Sequence, residues 1–252
     1  MGGRTDLTRR AFLRHTLLAG TVLAGFPTLA LAREYRGGHQ WPWESGRADV
    51  PHYGLETDTF LTIGERQFVD AATARLIPSD DDGPGAREAD VVTFIDRQLA
   101  GFYGRGQRWY MKGPFPEDVL DTQGYQSEYP PADLYRVSIA AIDEWCAQNR
   151  DGRSFADLEE AEQDEILTMI EEEELTVTGV PLATFFSLLH DNAIEGFFAD
   201  PIYGGNRDMV GWAYVGFPGA RYDYRDYIAH NGQAIVMPPV SLMGRPGWTA
   251  ER

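Results

Sequence analysis

The chain has 252 residues, with 22 Lys+Arg against 39 Asp+Glu, a formal net charge of −17 and 43% apolar residues. That excess of negative charge opposes binding to nucleic acid or to an anionic membrane surface through the chain's own field. A single cysteine, Cys146, excludes an internal disulfide and a cysteine-held iron–sulfur cluster.

The first predicted element is an address. Residues Thr8 to Arg14 place Arg9 and Arg10 side by side, followed by Phe12 and Leu13 and a further base. An apolar run interrupted by Gly20, Gly25 and Pro27 follows and closes on Ala30-Leu31-Ala32, a small-x-small cleavage pattern. The order of parts predicts a twin-arginine signal over 1–32, hence export in folded form by the twin-arginine translocase to the periplasm. The run is too short and too broken for a membrane anchor, and no later run is long enough to span a bilayer. Without 1–32 the chain keeps 18 basic and 38 acidic residues, a net charge of −20. Folded export serves proteins that must meet a cofactor, or a partner holding one, before they leave.

Residues 33–56 read as an extended arm, broken by Gly37, Gly38, Pro42, Gly46, Pro51 and Gly54. The arm carries Tyr35, Trp41, Trp43 and Tyr53, more aromatic side chains than a disordered tail holds, so it is expected to lie along a surface. From 57 to 252 the pattern predicts one helical domain. Phe68, Ala72 and Leu76 mark a helix over 64–77, which ends at Pro78. The run Ser79 to Gly83 lacks the ligand alternation of a calcium loop and reads as a turn. A second helix is expected from about Gly85 to Ala100, with Val91, Val92, Ile95 and Leu99 inward.

Residues 101–130 are irregular. Pro130-Pro131 then opens a helix to Asn149 with two apolar stripes, Leu134/Val137/Ala141/Trp145 and Tyr135/Ile139/Ile142/Cys146, which predicts a central position and a buried Cys146. Ser154 to Asp157 fits a capping box. In the helix after it, Ile166, Leu167 and Ile170 face inward and Glu171 to Glu174 face water. Pro181 opens the next helix, with Leu182, Phe185, Phe186, Leu189, Ala193 and Phe197 on one side, and Asp200-Pro201 stops it. The remainder is rich in Gly and Pro. The expected fold is an all-α bundle of about five helices with long aromatic, Gly/Pro-rich arms and loops at both ends.

No chemistry of its own is visible. The chain has no Gly-x-Ser-x-Gly, no phosphate loop and no haem-attachment motif, and Gly104-Arg105-Gly106 lacks the third glycine of a dinucleotide loop. His39, His52, His190 and His230 have no metal-ligand spacing. His190 and Glu195, five apart on a helix, do not share a face, and the histidine reads as a hydrogen-bonded core or interface residue. No catalytic residue, cofactor site or metal site is assigned, so the cofactor implied by the export route belongs to a partner chain.

The most unusual stretch runs from Glu195-Gly196-Phe197-Phe198-Ala199-Asp200-Pro201 through Ile202-Tyr203-Gly204-Gly205-Asn206-Arg207-Asp208-Met209-Val210-Gly211-Trp212 to Gly216-Phe217-Pro218-Gly219-Ala220. With Leu76-Ile77-Pro78, Pro84-Gly85-Ala86, Phe94-Ile95-Asp96, Gly124-Tyr125-Gln126 and Pro131 to Arg136, it resembles the gluconate 2-dehydrogenase subunit 3 family. The resemblance covers most of 60–225.

It implies a small, non-catalytic subunit that assembles with a large flavoprotein of the glucose–methanol–choline type. That partner holds FAD and oxidises a sugar, polyol or sugar acid. A multihaem cytochrome c subunit, carrying haem c, often completes such complexes and ties them to the membrane. The small subunit's implied work is folding and twin-arginine co-export of the flavoprotein. Phe197, Phe198, Tyr203, Arg207, Met209, Trp212, Phe217 and Pro218, with the tight turn at Gly204-Gly205, are the expected partner interface, since these side-chain types are enriched in interface cores. Asp200 and Asn206 read as turn formers. The alternatives are a stand-alone exported enzyme with an unrecognised site, or a carbohydrate-binding module using the many aromatics.

Overall fold

The computed structural model describes residues 59–244, apart from 108, 110, 116–120, 126, 222 and 234, together with the strand pair at Tyr35–Arg36. The signal residues Arg9, Arg10, Phe12, Leu13, Ala30 and Ala32, and most of the 33–56 arm, lie outside the described residues.

The fold is all-α. Among the described residues the five long helices are α1 (Ile63–Leu76), α2 (Val91–Ala100), α3 (Pro131–Asn149), α4 (Glu160–Glu171) and α5 (Leu182–Phe198), and a short α6 spans Val210–Val215. A two-residue parallel pair joins Tyr35–Arg36 (β1) to Ile235–Val236 (β2).

α1 starts at a capping box. Thr62 Oγ1 accepts from the Glu65 N–H at 3.3 Å, and Glu65 Oε2 accepts from the Thr62 N–H at 2.8 Å. α2 begins at Val91, six residues later than its apolar pattern predicts. Two features hold 85–90 in turns. Gly85 presses on the backbone of Ile77 to Ser79, with the Ala86 N–H on the Ile77 carbonyl at 2.8 Å, and Asp90 takes a left-handed φ of 55°. The expected capping box at Ser154 is also displaced. Ser154 Oγ donates to the Asp157 carboxylate at 2.7 Å across a single 3₁₀ turn, and α4 starts after it, where Glu162 accepts from the Glu159 N–H at 3.1 Å.

α5 packs against α1, α2, α3, α4 and α6, and α1 packs against α2 to α5, so these two helices form the centre. α3 is less central than its two stripes predict. Tyr135, Ile139, Ile142 and Cys146 are buried, but of the other stripe only Leu134 is. Val137, Ala141 and Trp145 are half-buried, and the Arg150 guanidinium lies over the Trp145 ring at 5.4 Å, a contact that lets a large aromatic stay near water.

The core is aromatic at its middle. Phe68 meets Phe155 with ring centroids 4.6 Å apart, and Tyr135 meets Phe185 edge to face at 5.1 Å. Asn192 joins a buried and a half-buried phenol, donating to Tyr135 Oη at 2.8 Å and accepting from Tyr103 Oη at 3.0 Å. That bond fastens the irregular 101–107 loop to α5. Burial pushes the Tyr103 hydroxyl up to about 12 and the Cys146 thiol up to about 11, so both stay protonated.

Candidate docking surface

The segment after α5 is assembled on three close backbone approaches. A Cβ at Gly205 would collide with the Gly196 carbonyl, one at Gly211 with the Phe197 carbonyl, and one at Gly219 with the backbone of Val240. Glycine is required at these points because the backbones touch. Asn206 sits between them, fully buried, at a left-handed φ of 48° that asparagine tolerates. Its side chain donates to the Ala199 carbonyl at 2.9 Å and accepts from the Gly211 N–H at 2.8 Å, which closes the turn onto the end of α5.

Asp200 ties down both flanks. One carboxylate oxygen accepts from the Ile202 N–H at 3.0 Å and the other from the Leu242 N–H at 2.8 Å. Arg207 is held from the other side. Its N–H donates to the Ala89 carbonyl at 3.0 Å and its guanidinium pairs with Asp90. Asp90 also lies 3.8 Å from Arg66, and Arg66 is bonded to the buried Asp96 at 3.3 Å. Arg207 is thus committed to the bundle.

The ten residues expected at a partner interface differ in exposure. Phe197, Gly205, Met209 and Trp212 are buried against the bundle, and Trp212 Nε1 donates to the Phe198 carbonyl at 2.7 Å. Gly204 and Pro218 are half-buried. Arg207 is exposed but ion-paired within the chain. Phe198, Tyr203 and Phe217 face solvent, at 40%, 52% and 45% exposure.

Sequence reasoning missed further members of this outer set: Tyr214, Val215, Leu242 and Met243 are also exposed. The signal for the last two was the Gly/Pro-rich tail itself, which reads as loop until the Leu242 N–H is seen on Asp200. Phe217 packs edge to face on Trp212 at 5.2 Å, and Phe198 does the same on Phe197 at 5.0 Å. These two outward rings each stand on an inward one. Exposed large apolar side chains mark interaction sites on soluble domains where they gather into a patch.

An open hollow of about 180 Å³ lies before α5, lined by Ile170, Leu175, Val180 and Leu182 among others; ligand sites usually enclose roughly 300–1,000 Å³. Among the described residues no group of three His, Cys, Asp or Glu is placed to hold a metal ion. His190 is half-exposed rather than in the core, with Nδ1 3.5 Å from Asp191. No helix among the described residues is long and apolar enough to cross a membrane.

Fold and site together define a small all-α domain that presents exposed aromatic side chains after α5. The family model described as gluconate 2-dehydrogenase subunit 3 matches residues 64–219, and the chain belongs to that family. It is therefore a small subunit of the dehydrogenase type, and the match takes in all of α1 but Ile63, α2 to α6, and the segment after α5 as far as Gly219. No curated protein and no solved structure matches the chain.

Proposed function

We propose that this chain is the non-catalytic small subunit of an FAD-dependent dehydrogenase that oxidises a sugar, polyol or sugar acid. It binds the large glucose–methanol–choline-type flavoprotein, supports its folding and carries it out of the cytoplasm on the twin-arginine signal over 1–32. FAD belongs to the partner. Haem c belongs to a cytochrome subunit where one completes the complex and ties it to the periplasmic side of the membrane.

The observation that carries this reading is the outward aromatic set Phe198, Tyr203 and Phe217, mounted on a buried platform within the region that matches the family. Large rings held in place on a rigid base bury area at low cost in conformational entropy when a partner arrives. Export gives the test. Replacing Arg9 and Arg10 together by lysine is expected to strand both this chain and the flavoprotein in the cytoplasm, read as loss of periplasmic, substrate-dependent dye reduction. A flavoprotein that is exported and active without this chain contradicts the proposal.

A further inference from the structure

Residues 241–244 form a tight turn. Ser241 and Gly244 bond each other's backbones in both directions at 2.9 Å, and the Met243 N–H donates to Ser241 Oγ at 2.9 Å. Turn tips ordinarily carry Gly, Pro, Asn, Asp or Ser. This one presents Leu242 and Met243, 64% and 40% exposed. The Leu242 N–H is fixed on the Asp200 carboxylate, and Asp200 also caps the 3₁₀ turn that ends at the exposed Tyr203. Three large side chains left open to solvent are thus held to one residue.

The chain brings an occupant to both sides of this patch. β1 runs parallel to β2, so residue 37 leaves alongside Met237 in the direction of Val240 and Leu242. The register pairs Tyr35 with Ile235 and Arg36 with Val236, and carried forward it brings Trp41 level with Ser241 and Trp43 level with Met243. At the other end, the Phe60 and Leu61 N–H groups donate to the buried Asp96 of α2 at 2.7 and 2.8 Å. Thr93 and Arg97, on the same stretch of α2, support Gly204: a Cβ there would lie 3.0 Å from the Arg97 side chain and 3.2 Å from that of Thr93. The stretch 37–58 therefore sets out towards Leu242 and ends beside the seat of the Tyr203–Gly204 turn. Fully extended it measures roughly 70 Å, more than a domain of this size is wide.

We propose that residues 37–58 dock on this patch, with Trp41 and Trp43 seated on Leu242, Met243 and the flank of Tyr203. Burying two tryptophans against these side chains removes a large apolar area from water on both surfaces. Phe198 and Phe217 stay open to a flavoprotein, and the seating of the arm does not depend on that partner. The arm directly follows the predicted signal, so the signal leaves the molecule at the end that carries the docking segment.

The test treats the full chain with dilute hydrogen peroxide and follows the sulfoxide at Met243 by mass spectrometry, since methionine oxidation tracks exposure. Met243 is expected to react slowly in the wild type and about fivefold faster in Trp41→Ala with Trp43→Ala. Met209, 3% exposed, is expected to stay slow in both and reports that the platform is kept. In the reciprocal variant, Leu242→Asp with Met243→Asp, trypsin is expected to cut after Arg47 about fivefold faster, because the arm loses its seat. If the tryptophan variant also speeds up Met209, cleavage after Arg47 decides. Equal Met243 rates in the wild type and the tryptophan variant overturn the proposal. So does unchanged cleavage after Arg47, or a Met243 rate that rises only on Trp248→Ala, which would seat the C-terminal tail there instead. No partner is present in either assay, so failure here leaves the docking reading standing. That reading falls separately if Phe198→Ala with Phe217→Ala binds the flavoprotein as the wild type does.

Discussion

Phe197 and Phe198 are neighbours whose rings meet at 5.0 Å, yet one is sealed against the bundle and the other stands open to solvent. Trp212 and Phe217 repeat the arrangement at 5.2 Å. The inner members belong to a platform closed by Asn206, Gly205 and Gly211. The outer members, joined by Tyr203, form the face. The same residue types therefore do two kinds of work within one segment. The inner set fixes the shape, and the outer set is exposed among the described residues. A face held this way is ready before its partner arrives.

Substitutions separate the two sets. Trp212→Ala empties a buried aromatic site and removes the bond to the Phe198 carbonyl, so it is expected to destabilise the isolated chain by about 3–5 kcal/mol. A domain of this size then melts roughly 6–20 °C lower by calorimetry. Gly205→Ala forces a Cβ against the Gly196 carbonyl and is expected to cost about 3 kcal/mol, read from a urea midpoint. Phe198→Ala and Phe217→Ala should behave differently. Each is expected to change the stability of the isolated chain by about 1 kcal/mol or less, while the double variant weakens the complex by about 2 kcal/mol, roughly thirtyfold. If the outer pair destabilises the chain as much as Trp212→Ala, the comparison collapses.

The smallest effect concerns the bundle. Ser138 Oγ is buried on α3 with no hydrogen-bond partner among the described residues. Ser138→Ala removes an unsatisfied hydroxyl and is expected to stabilise by about 1 kcal/mol, a rise of a few degrees in Tm.

Much of this was legible from periodicity. The inward faces of α2, α4 and α5 follow directly from their apolar spacing, and α3 runs over the residues its opening prolines and apolar stripes predict. The misreadings have physical causes. The start of α2 was obscured because Gly85 and Asp90 are held by tertiary contacts that no window of sequence reports. α3 was placed too centrally because a half-buried Trp145 under an arginine reads like a core tryptophan.

In the docking segment, residue type predicted that aromatics would matter but not which way each would point. A run such as Phe197-Phe198 carries no facing information until the helix has neighbours.

The central claim is that the outer rings hold a flavoprotein. The most direct measurement is affinity capture of the tagged chain, co-expressed with the flavoprotein encoded beside it, followed by the flavin absorbance near 450 nm of the eluate, a wavelength characteristic of roughly any oxidised flavin. The account predicts a yellow, stoichiometric complex for the wild-type chain and a nearly colourless eluate for Phe198→Ala with Phe217→Ala, both chains melting alike when isolated. Equal flavin in the two eluates, or none with the wild type, contradicts it.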